Sequence, residues 1–365
     1  MAKTIDIAEL DFRMRGTSAI NRDDIVYYDI KNAPFELYGF YDPKGQNVYK
    51  RLPDSVAEAT SKGVAGLYKC TAGGRVRFST DSDCVVIRAK LPTIRRMYHC
   101  TLQMCAGFDL YLDDPETGES TFYDIFKPPY DMTDNYTSII KFSDRRTRYV
   151  TIYFPLYGEV SDLSIGLCEG ATIGEGAKYR NKKPVIFYGS SITQGACATR
   201  PGIAFSAIIS RRLNIDYINL GFSGNGKAED AIVEYMSGLD MSVFVSDYDH
   251  NAPTPEYLEA THYKMYERIR EAQPNIPYVM ITRPDFHKNE NKTTASVLRR
   301  KVVLDSFHKA YVENGDRNVY FIDGEGFFNN EYFDCCVVDD THPSDYGMVC
   351  MADTIGSVLK RLEIK

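Results

Sequence analysis

The 365-residue chain lacks the patterns that mark several large classes of protein. No stretch approaches the roughly 20 apolar residues that a membrane-spanning helix needs, and the N-terminus has no apolar core of signal-peptide length. Basic residues form no strong cluster and the net charge is −7, which argues against nucleic acid as a partner. These absences predict a cytoplasmic protein that acts on neither a membrane nor nucleic acid.

The use of cysteine, histidine and tryptophan further narrows the classes of site and ligand that the protein can have. The nine cysteines are an odd number and lack the spacing of a disulfide framework, which favours reduced thiols. The chain also contains no Cys-x-x-Cys pair of the kind that binds zinc. Several histidines stand apart, with no carboxylate at ligand spacing: His99, His262, His287 and His308. We therefore expect no zinc site. Tryptophan is absent, but the 27 tyrosines suit flat, amphipathic ligands such as sugars.

Short strand patterns fill the chain up to about residue 170. Polar and apolar residues alternate in several of them, as at residues 75–78, and turn residues separate them, as at residues 42–45 and 114–118. Only a brief segment near residues 54–61 has a helical pattern. This arrangement predicts an all-β sandwich or jelly roll, which we assign to residues 1–175.

Strands and helices alternate in the rest of the chain, after a glycine-bearing, charged stretch at residues 171–183 that we interpret as a linker. Repeated βα units predict a doubly wound, mostly parallel α/β sheet at residues 176–365. The predicted strands are 185–188, 217–220, 243–246, 278–281 and 319–322, and the predicted helices are 204–213, 228–236, 255–271, 295–313 and 343–362. Because ligands bind at the carboxyl ends of such strands, the loops that follow them are where chemistry is expected.

The first of these loops contains Gly189, Ser190 and Ser191. A glycine permits a sharp turn at the strand end, which would lift the Ser191 hydroxyl to the edge of the sheet as a nucleophile. The backbone N–H of Ser191 could then hold a developing oxyanion. Taken alone, Gly-Ser-Ser fits an ordinary strand-to-turn transition better than a nucleophile, so the assignment depends on the other loops.

The next two loops offer further hydrogen-bond donors. The second is rich in glycine without the Lys-Ser/Thr ending of a phosphate loop, and Gly224 in it could let its N–H approach an oxyanion. In the third, Asn251 could donate its side-chain N–H to the same oxyanion, although a turn or helix-capping role is the alternative. Its neighbour His250 is a candidate for substrate contact or an ordinary surface histidine.

The fourth loop carries Asp339 and His342 immediately before the last predicted helix. Their spacing lets the carboxylate reach back to the imidazole and fix its tautomer, which leaves the other ring nitrogen free to take a proton from Ser191. Asp340 is the alternative carboxylate, and the spacing favours Asp339. A helix cap with a surface histidine would give the same pattern.

Together, the four loops resemble the SGNH/GDSL hydrolases, whose pattern has a Gly-Asp-Ser, a Gly, an Asn and a terminal Asp-x-x-His-Pro block. The resemblance runs from about residue 183 to the end. Two departures occur: Ser190 stands where the family has Asp, and Asp249-His250-Asn251-Ala252 stands where it has Gly-x-Asn-Asp. Gly107-Phe108-Asp109-Leu110-Tyr111 looks like the Gly-x-Asp-Leu-Tyr signature of a β-sandwich domain that precedes one branch of these hydrolases.

The resemblance implies a three-layer α/β hydrolase domain, residues 176–365, that follows a jelly-roll-like β-sandwich domain, residues 1–175. It further implies that Ser191 is the nucleophile, His342 its base and Asp339 the residue that orients the base. The implied oxyanion donors are the N–H groups of Ser191 and Gly224 and the side chain of Asn251.

The substrate implied by the resemblance is a small molecule or an oligosaccharide that carries a short-chain acyl ester, foremost an O-acetyl ester. Arg200 lies in the loop after the nucleophile, where it could contact the substrate or form a surface salt bridge. Two alternatives to an esterase stay open, an acyltransferase with the same triad and a non-catalytic glycan-binding protein. A homo-oligomer also stays open.

Overall fold

Antiparallel strands dominate the N-terminal half of the computed structural model, which describes residues 11, 20, 22–284, 294–328 and 332–364. One sheet has the strand order β1-β11-β4-β8, and the other has the order β12-β3-β9-β6-β7 with β2 paired to β3. A separate small ladder joins β5 to β10. The strands are β1 Ile25–Asp29, β2 Glu36–Tyr38, β3 Arg75–Thr80, β4 Cys84–Lys90, β5 Thr93–Ile94, β6 Phe108–Asp113, β7 Ser120–Phe126, β8 Asn135–Lys141, β9 Arg148–Tyr153, β10 Gly158–Glu159, β11 Asp162–Cys168 and β12 Ile173–Glu175.

The two larger sheets enclose one apolar core. Alternate residues of β4, Val85 and Ile87, pack in the same cluster as Val76 and Phe78 of β3 in the opposite sheet. Alternation of this kind places one face of each sheet inward, as in a sandwich. The predicted β-sandwich is therefore confirmed.

Three short helices interrupt these strands: α1 Asp54–Thr60, α2 Lys62–Leu67 and α3 Leu102–Ala106. The sequence analysis predicts a helix only near the first. Helices α2 and α3 are too short to show a helical period, and each depends on a side-chain cap. Ser61 Oγ accepts the Val64 N–H at 3.2 Å, and Thr101 Oγ1 accepts the Met104 N–H at 3.0 Å.

Five parallel strands form the sheet of the C-terminal half, in the order β14-β13-β15-β16-β17. They are β13 Val185–Gly189, β14 Tyr217–Gly221, β15 Val243–Asp247, β16 Tyr278–Ile281 and β17 Val319–Ile322. The helices are α4 Ser191–Gln194, α5 Phe205–Leu213, α6 Asp230–Ser237, α7 Pro255–Ala272, α8 Thr294–His308 and α9 Asp345–Arg361. Because the chain leaves β13 first to one side and then to the other, the strand order reverses at β13, where such sheets bind ligands.

Helices cover both faces of this sheet. Val185 and Phe187 of β13 lie in one apolar cluster with residues of α5 and α9, while Ile186 and Tyr188 lie in a second with residues of α6, α7 and α8. The continuous run of apolar residues in β13 reflects burial on both faces. The predicted three-layer, doubly wound sheet is confirmed. None of the helices in the described ranges has both the length and the apolar character needed to cross a bilayer.

Two buried arginines of the N-terminal half reach into the C-terminal half. Arg51 donates to the carbonyl oxygen of Gly221, at the end of β14, at 2.6 Å. Arg75 forms a salt bridge with Asp216, just before the same strand. Strand β12 lies inside the predicted linker and pairs with β3, so that stretch is not wholly irregular. The domain boundary at residues 175/176 stays a prediction.

Candidate active site

Ser191 is the first residue of α4, directly after the turn that ends β13. Gly189 allows this turn, because a Cβ atom there would lie 2.2 Å from the carbonyl oxygen of Asp247. Ser190 caps the helix, since its Oγ accepts the Ile192 N–H at 3.1 Å. The N–H of Ser191 belongs to the first turn and has no acceptor within the helix, so it can serve a ligand.

Ser191, His342 and Asp339 form one hydrogen-bonded row. His342 Nε2 lies 3.0 Å from Ser191 Oγ, and His342 Nδ1 lies 2.8 Å from Asp339 Oδ2. The other oxygen of Asp339 accepts the backbone N–H groups of Thr341 at 2.7 Å and of His342 at 2.6 Å. The carboxylate is thus held on both oxygens, and it orients the ring so that Nε2 faces the serine.

Asp340, the alternative carboxylate, lies on the outer side of the same loop. Its side chain is exposed, and its Oδ1 accepts the Thr341 hydroxyl at 3.1 Å. The backbone turn that follows Asp339 brings that residue, and not Asp340, back to the His342 ring.

Hydrogen bonding keeps Asp339 ionised. Burial pushes the pKa of its carboxyl upward, but the hydrogen bonds from the His342 ring and from the backbone N–H groups of His342 and Thr341 outweigh this effect. The pKa of Asp339 therefore lies below its usual 3.8. An ionised carboxylate here can stabilise the positive charge that forms on His342 when the ring accepts a proton.

The loops after β13, β14 and β15 begin at the same level of the sheet. Gly189 at the end of β13 pairs with Gly221 of β14 and with Asp247 of β15. Gly224 follows Gly221 by three residues, and Asn251 follows Asp247 by four. The register therefore brings both predicted donor loops to the edge of the sheet that carries the nucleophile.

The local geometry of Gly224 and Asn251 leaves donors for a ligand. Gly224 has φ +68°, and a Cβ atom built on it would meet no atom within 4 Å, so the space beside it is open. Asn251 Nδ2 donates to the carbonyl oxygen of Phe222 at 3.2 Å, which joins the third loop to the second. An amide nitrogen has two hydrogens, so one remains for an oxyanion.

Arg200 contacts the N-terminal half of the chain. Its Nη1 donates to Asp109 Oδ2 at 2.9 Å and to the Tyr111 hydroxyl at 2.6 Å, and its guanidinium lies 3.9 Å from the centre of the Phe122 ring. Arg200 also lines an open cavity of about 820 Å³ that includes none of Ser191, Asp339 and His342. Arg200 thus forms a salt bridge that holds the loop after the nucleophile against the β-sandwich, and the substrate contact stays a prediction.

Asp109 anchors this contact, and we expect its removal to lower the stability of the fold substantially. The Asp109 side chain is fully buried, and it also accepts the Gly202 N–H at 2.8 Å. Asp109→Ala should lower the free energy of unfolding by about 3–5 kcal/mol, because it leaves the largely buried Arg200 charge without its carboxylate partner and the Gly202 N–H without an acceptor. Urea unfolding measures this loss. Asp124→Ala, an exposed aspartate of β7, is the control, and equal losses in the two variants would contradict the assignment.

His250 is buried, which the sequence did not indicate. Only 5% of its side chain is exposed, and its Nδ1 lies 2.9 Å from Asp249 Oδ1. The other oxygen of Asp249 accepts the Arg283 N–H at 3.0 Å. In the structure the His250 ring is thus the partner of Asp249, and its contact with a substrate stays a prediction.

Asp247, at the end of β15, makes stability depend on pH. Burial above all, and also the nearby Asp249, raise the pKa of Asp247 to about 6, against the opposing effects of His250 and the Thr193 hydroxyl. A carboxyl with a raised pKa favours the folded state while it is protonated. That contribution is complete below the ordinary value of 3.8 and is lost as the pH rises through about 6.

Asp247→Asn should remove this dependence. We expect the variant to exceed the wild type in free energy of unfolding by up to about 3 kcal/mol at pH 7, and by progressively less as the pH falls toward 4. Urea unfolding of both proteins between pH 4 and pH 8 measures the difference. A difference that does not change with pH would contradict a raised pKa.

Three residues near the triad were not found from the sequence. His99 Nε2 lies 3.6 Å from Asp339 Oδ2, and the His99 and His342 rings are 5.8 Å apart. Cys100 Sγ lies 3.8 Å from Cys197 Sγ, in the loop after the nucleophile. No carboxylate near His99 in the sequence indicates this contact, because Asp339 lies 240 residues away in the chain. His287, another histidine of that set, lies outside the described residues.

Two family models divide most of the chain between them. The model of the GDSL-like lipase/acylhydrolase family matches residues 182–360. The GxDLY model, for the N-terminus of SGNH-hydrolase-type esterases, matches residues 25–173. The chain belongs to the GDSL-like lipase/acylhydrolase family. The resemblance seen in both halves of this acylhydrolase is thereby confirmed.

Solved structures cover nearly the whole acylhydrolase. A candidate GDSL-like lipase from Bacteroides ovatus ATCC 8483 is 25% identical with a TM-score of 0.83, over 93% of this chain and 99% of its own. The salicylyl-acyltransferase SsfX3 from a tetracycline biosynthetic pathway is 18% identical with a TM-score of 0.76, over 94% of this chain and 100% of its own. A family two carbohydrate esterase from Clostridium thermocellum, solved as an active-site mutant, is 15% identical with a TM-score of 0.61, over 90% and 98%. No curated protein matches the chain significantly.

Family membership makes this acylhydrolase an enzyme of the GDSL/SGNH esterase class. The more distant structures show that the fold of both halves also occurs in proteins named as an acyltransferase and as a carbohydrate esterase.

Proposed function

We propose that the protein is a serine esterase that removes short acyl groups, foremost acetyl, from carbohydrates. The proposal rests on the hydrogen-bonded row of Ser191, His342 and Asp339. His342 Nε2 lies 3.0 Å from Ser191 Oγ, and His342 Nδ1 lies 2.8 Å from Asp339 Oδ2. This arrangement has the nucleophile, base and orienting carboxylate that acyl transfer requires.

In the first half of the reaction, Ser191 Oγ attacks the ester carbonyl carbon while His342 Nε2 takes the hydroxyl proton. Asp339 stabilises the resulting imidazolium without itself accepting the proton. His342 then gives the proton to the departing sugar hydroxyl, and the acyl group stays on Ser191. In the second half, His342 takes a proton from water, and the hydroxide formed releases the acid and restores Ser191.

The oxyanion of each tetrahedral intermediate would be held by the N–H groups of Ser191 and Gly224 and by the side chain of Asn251. Each such donor typically lowers the barrier by about 3–4 kcal/mol. The helix position of Ser191 and the open space beside Gly224 support this assignment. No step requires a metal or an organic cofactor.

An aromatic surface beside the triad favours a sugar as the alcohol part of the substrate. Tyr98 is 99% exposed, and its ring lies 4.5 Å from the His99 ring, which in turn lies 5.8 Å from the His342 ring. An exposed tyrosine ring offers a flat apolar face and a hydroxyl, which suit a pyranose. The carbohydrate esterase of similar fold is consistent with this substrate class.

An acyltransferase is the second candidate, because the protein named salicylyl-acyltransferase matches 94% of this chain. The two reactions share the acyl-enzyme and differ only in whether water or an alcohol removes the acyl group. The access of water to the Ser191 ester therefore decides between them.

Acetate release from acetylated oligosaccharides and from a chromogenic short-chain acetate tests the proposal, with and without added acceptor sugars. An esterase releases one acetate per ester cleaved whether or not an acceptor is present. Ester products that appear in place of acetate when an acceptor is added would identify an acyltransferase. Binding of the oligosaccharides without turnover would contradict both enzymes and favour a glycan-binding role.

A further inference from the structure

Four potential metal ligands meet at the outer edge of the triad. His99, Cys197, Asp339 and His342 each offer one donor atom, and these atoms all lie within 4.8 Å of one another. The residues come from three separate segments, because His99 belongs to the N-terminal half and Cys197 follows the nucleophile. The only other such group in the described part of the chain is Asp247, Asp249 and His250.

The donor set fits zinc. Two imidazole nitrogens, one thiolate and one carboxylate oxygen are ligands that Zn²⁺ binds in tetrahedral sites at about 2.0–2.3 Å, which places neighbouring donors roughly 3.3–3.8 Å apart. His99 Nε2 and Asp339 Oδ2 already lie 3.6 Å apart. His342 Nδ1 and Asp339 Oδ2 are closer, at 2.8 Å, because a hydrogen bond joins them. A bound ion would replace that hydrogen bond, and the distance between the two atoms would increase by no more than about 1 Å.

We propose that these four side chains form an inhibitory zinc site that competes with the catalytic state of His342. In the active state the ring carries its proton on Nδ1 and accepts the Ser191 proton at Nε2. When Zn²⁺ binds Nδ1, the neutral ring must carry its proton on Nε2, so it can no longer act as a base toward Ser191. The Cys197 thiol loses one proton to solvent on binding. Zinc would thus switch the enzyme off without touching the nucleophile.

Binding is measured separately from catalysis, with Ser191→Ala protein and Co²⁺ as a spectroscopic probe for Zn²⁺. We expect one Co²⁺ per chain, tetrahedral d–d bands, a thiolate-to-cobalt charge-transfer band, and displacement of Co²⁺ by Zn²⁺. Adding Cys197→Ala should abolish the charge-transfer band, and adding His99→Gln should weaken binding at least about tenfold. Cys335→Ala, an exposed cysteine outside the group, is the control and should leave binding unchanged. Absence of the charge-transfer band, or its persistence in Cys197→Ala, would overturn the site.

Inhibition is measured with the active enzyme, and this arm rests on the proposed function. Zn²⁺ should inhibit acetate release, EDTA should restore it, and Cys197→Ala should require at least about tenfold more Zn²⁺ while keeping its activity without metal. Equal sensitivity of Cys197→Ala and Cys335→Ala would overturn the inhibitory role. Because the cobalt spectrum needs no turnover, a protein that binds Co²⁺ through Cys197 but cleaves no ester would contradict the proposed function and leave the metal site supported.

Discussion

Replacement of Ser191 by alanine is expected to lower kcat for acetyl esters about a millionfold, the loss measured when a comparable triad loses its nucleophile. In the proposed mechanism, Ser191 Oγ is the atom that becomes acylated, and it lies 3.0 Å from the base His342. The change deletes one hydroxyl and adds no atom, so the fold should be retained. Initial rates of acetate release and thermal unfolding of both proteins measure the two effects.

Ser190→Ala is the matched control for this experiment. Ser190 precedes the proposed nucleophile and caps α4, so its loss should cost roughly 1 kcal/mol of stability and far less activity. A Ser191→Ala protein that keeps most of its activity would remove Ser191 from the mechanism. A loss confined to Ser190→Ala would place the nucleophile one residue earlier.

Replacement of Asp339 by asparagine is expected to lower kcat about ten-thousandfold, with little change in KM. An amide at this position can donate to His342 Nδ1, so it favours the tautomer with the proton on Nε2, and this ring cannot accept the Ser191 proton. It also removes the negative charge that stabilises the imidazolium. Steady-state kinetics on the chromogenic acetate measure both constants.

Asp340→Asn makes the same chemical change one residue away. Asp340 is exposed and contacts the Thr341 hydroxyl rather than the His342 ring, so this variant should retain nearly all of its activity. If Asp340→Asn loses more activity than Asp339→Asn, the orienting carboxylate has been assigned to the wrong residue.

Much of the C-terminal half was predictable because its signals are local. The strands at 278–281 and 319–322 have the predicted bounds, and the others extend one residue further, since an apolar run between turn residues marks a strand buried on both faces. The pairing of Asp339 with His342 was likewise predictable, because His342 follows Asp339 by only three positions. A backbone turn of that length brings the carboxylate back to the ring.

The contacts that sequence reasoning did not reveal join distant segments of the chain. Nothing local in the chain indicates that Arg200 pairs with Asp109, 91 residues earlier, or that His99 approaches Asp339. The burial of the His250 side chain likewise depends on how its loop packs against the distant helix α8, and its sequence neighbours do not reveal it. A motif search identifies residue types that act together, but only the packed structure shows which surfaces they share.

The arginines that reach from the N-terminal half limit which β-sandwich could be exchanged between relatives. Arg51 satisfies a backbone carbonyl at the end of β14, and Arg75 neutralises Asp216 just before that strand. A β-sandwich transplanted from another protein would have to supply both cations at the same places, or else leave a carbonyl without the Arg51 donor and a partly buried carboxylate without its cation. We therefore expect the β-sandwich and the hydrolase sheet to be inherited together, because each half limits the substitutions that the other can accept.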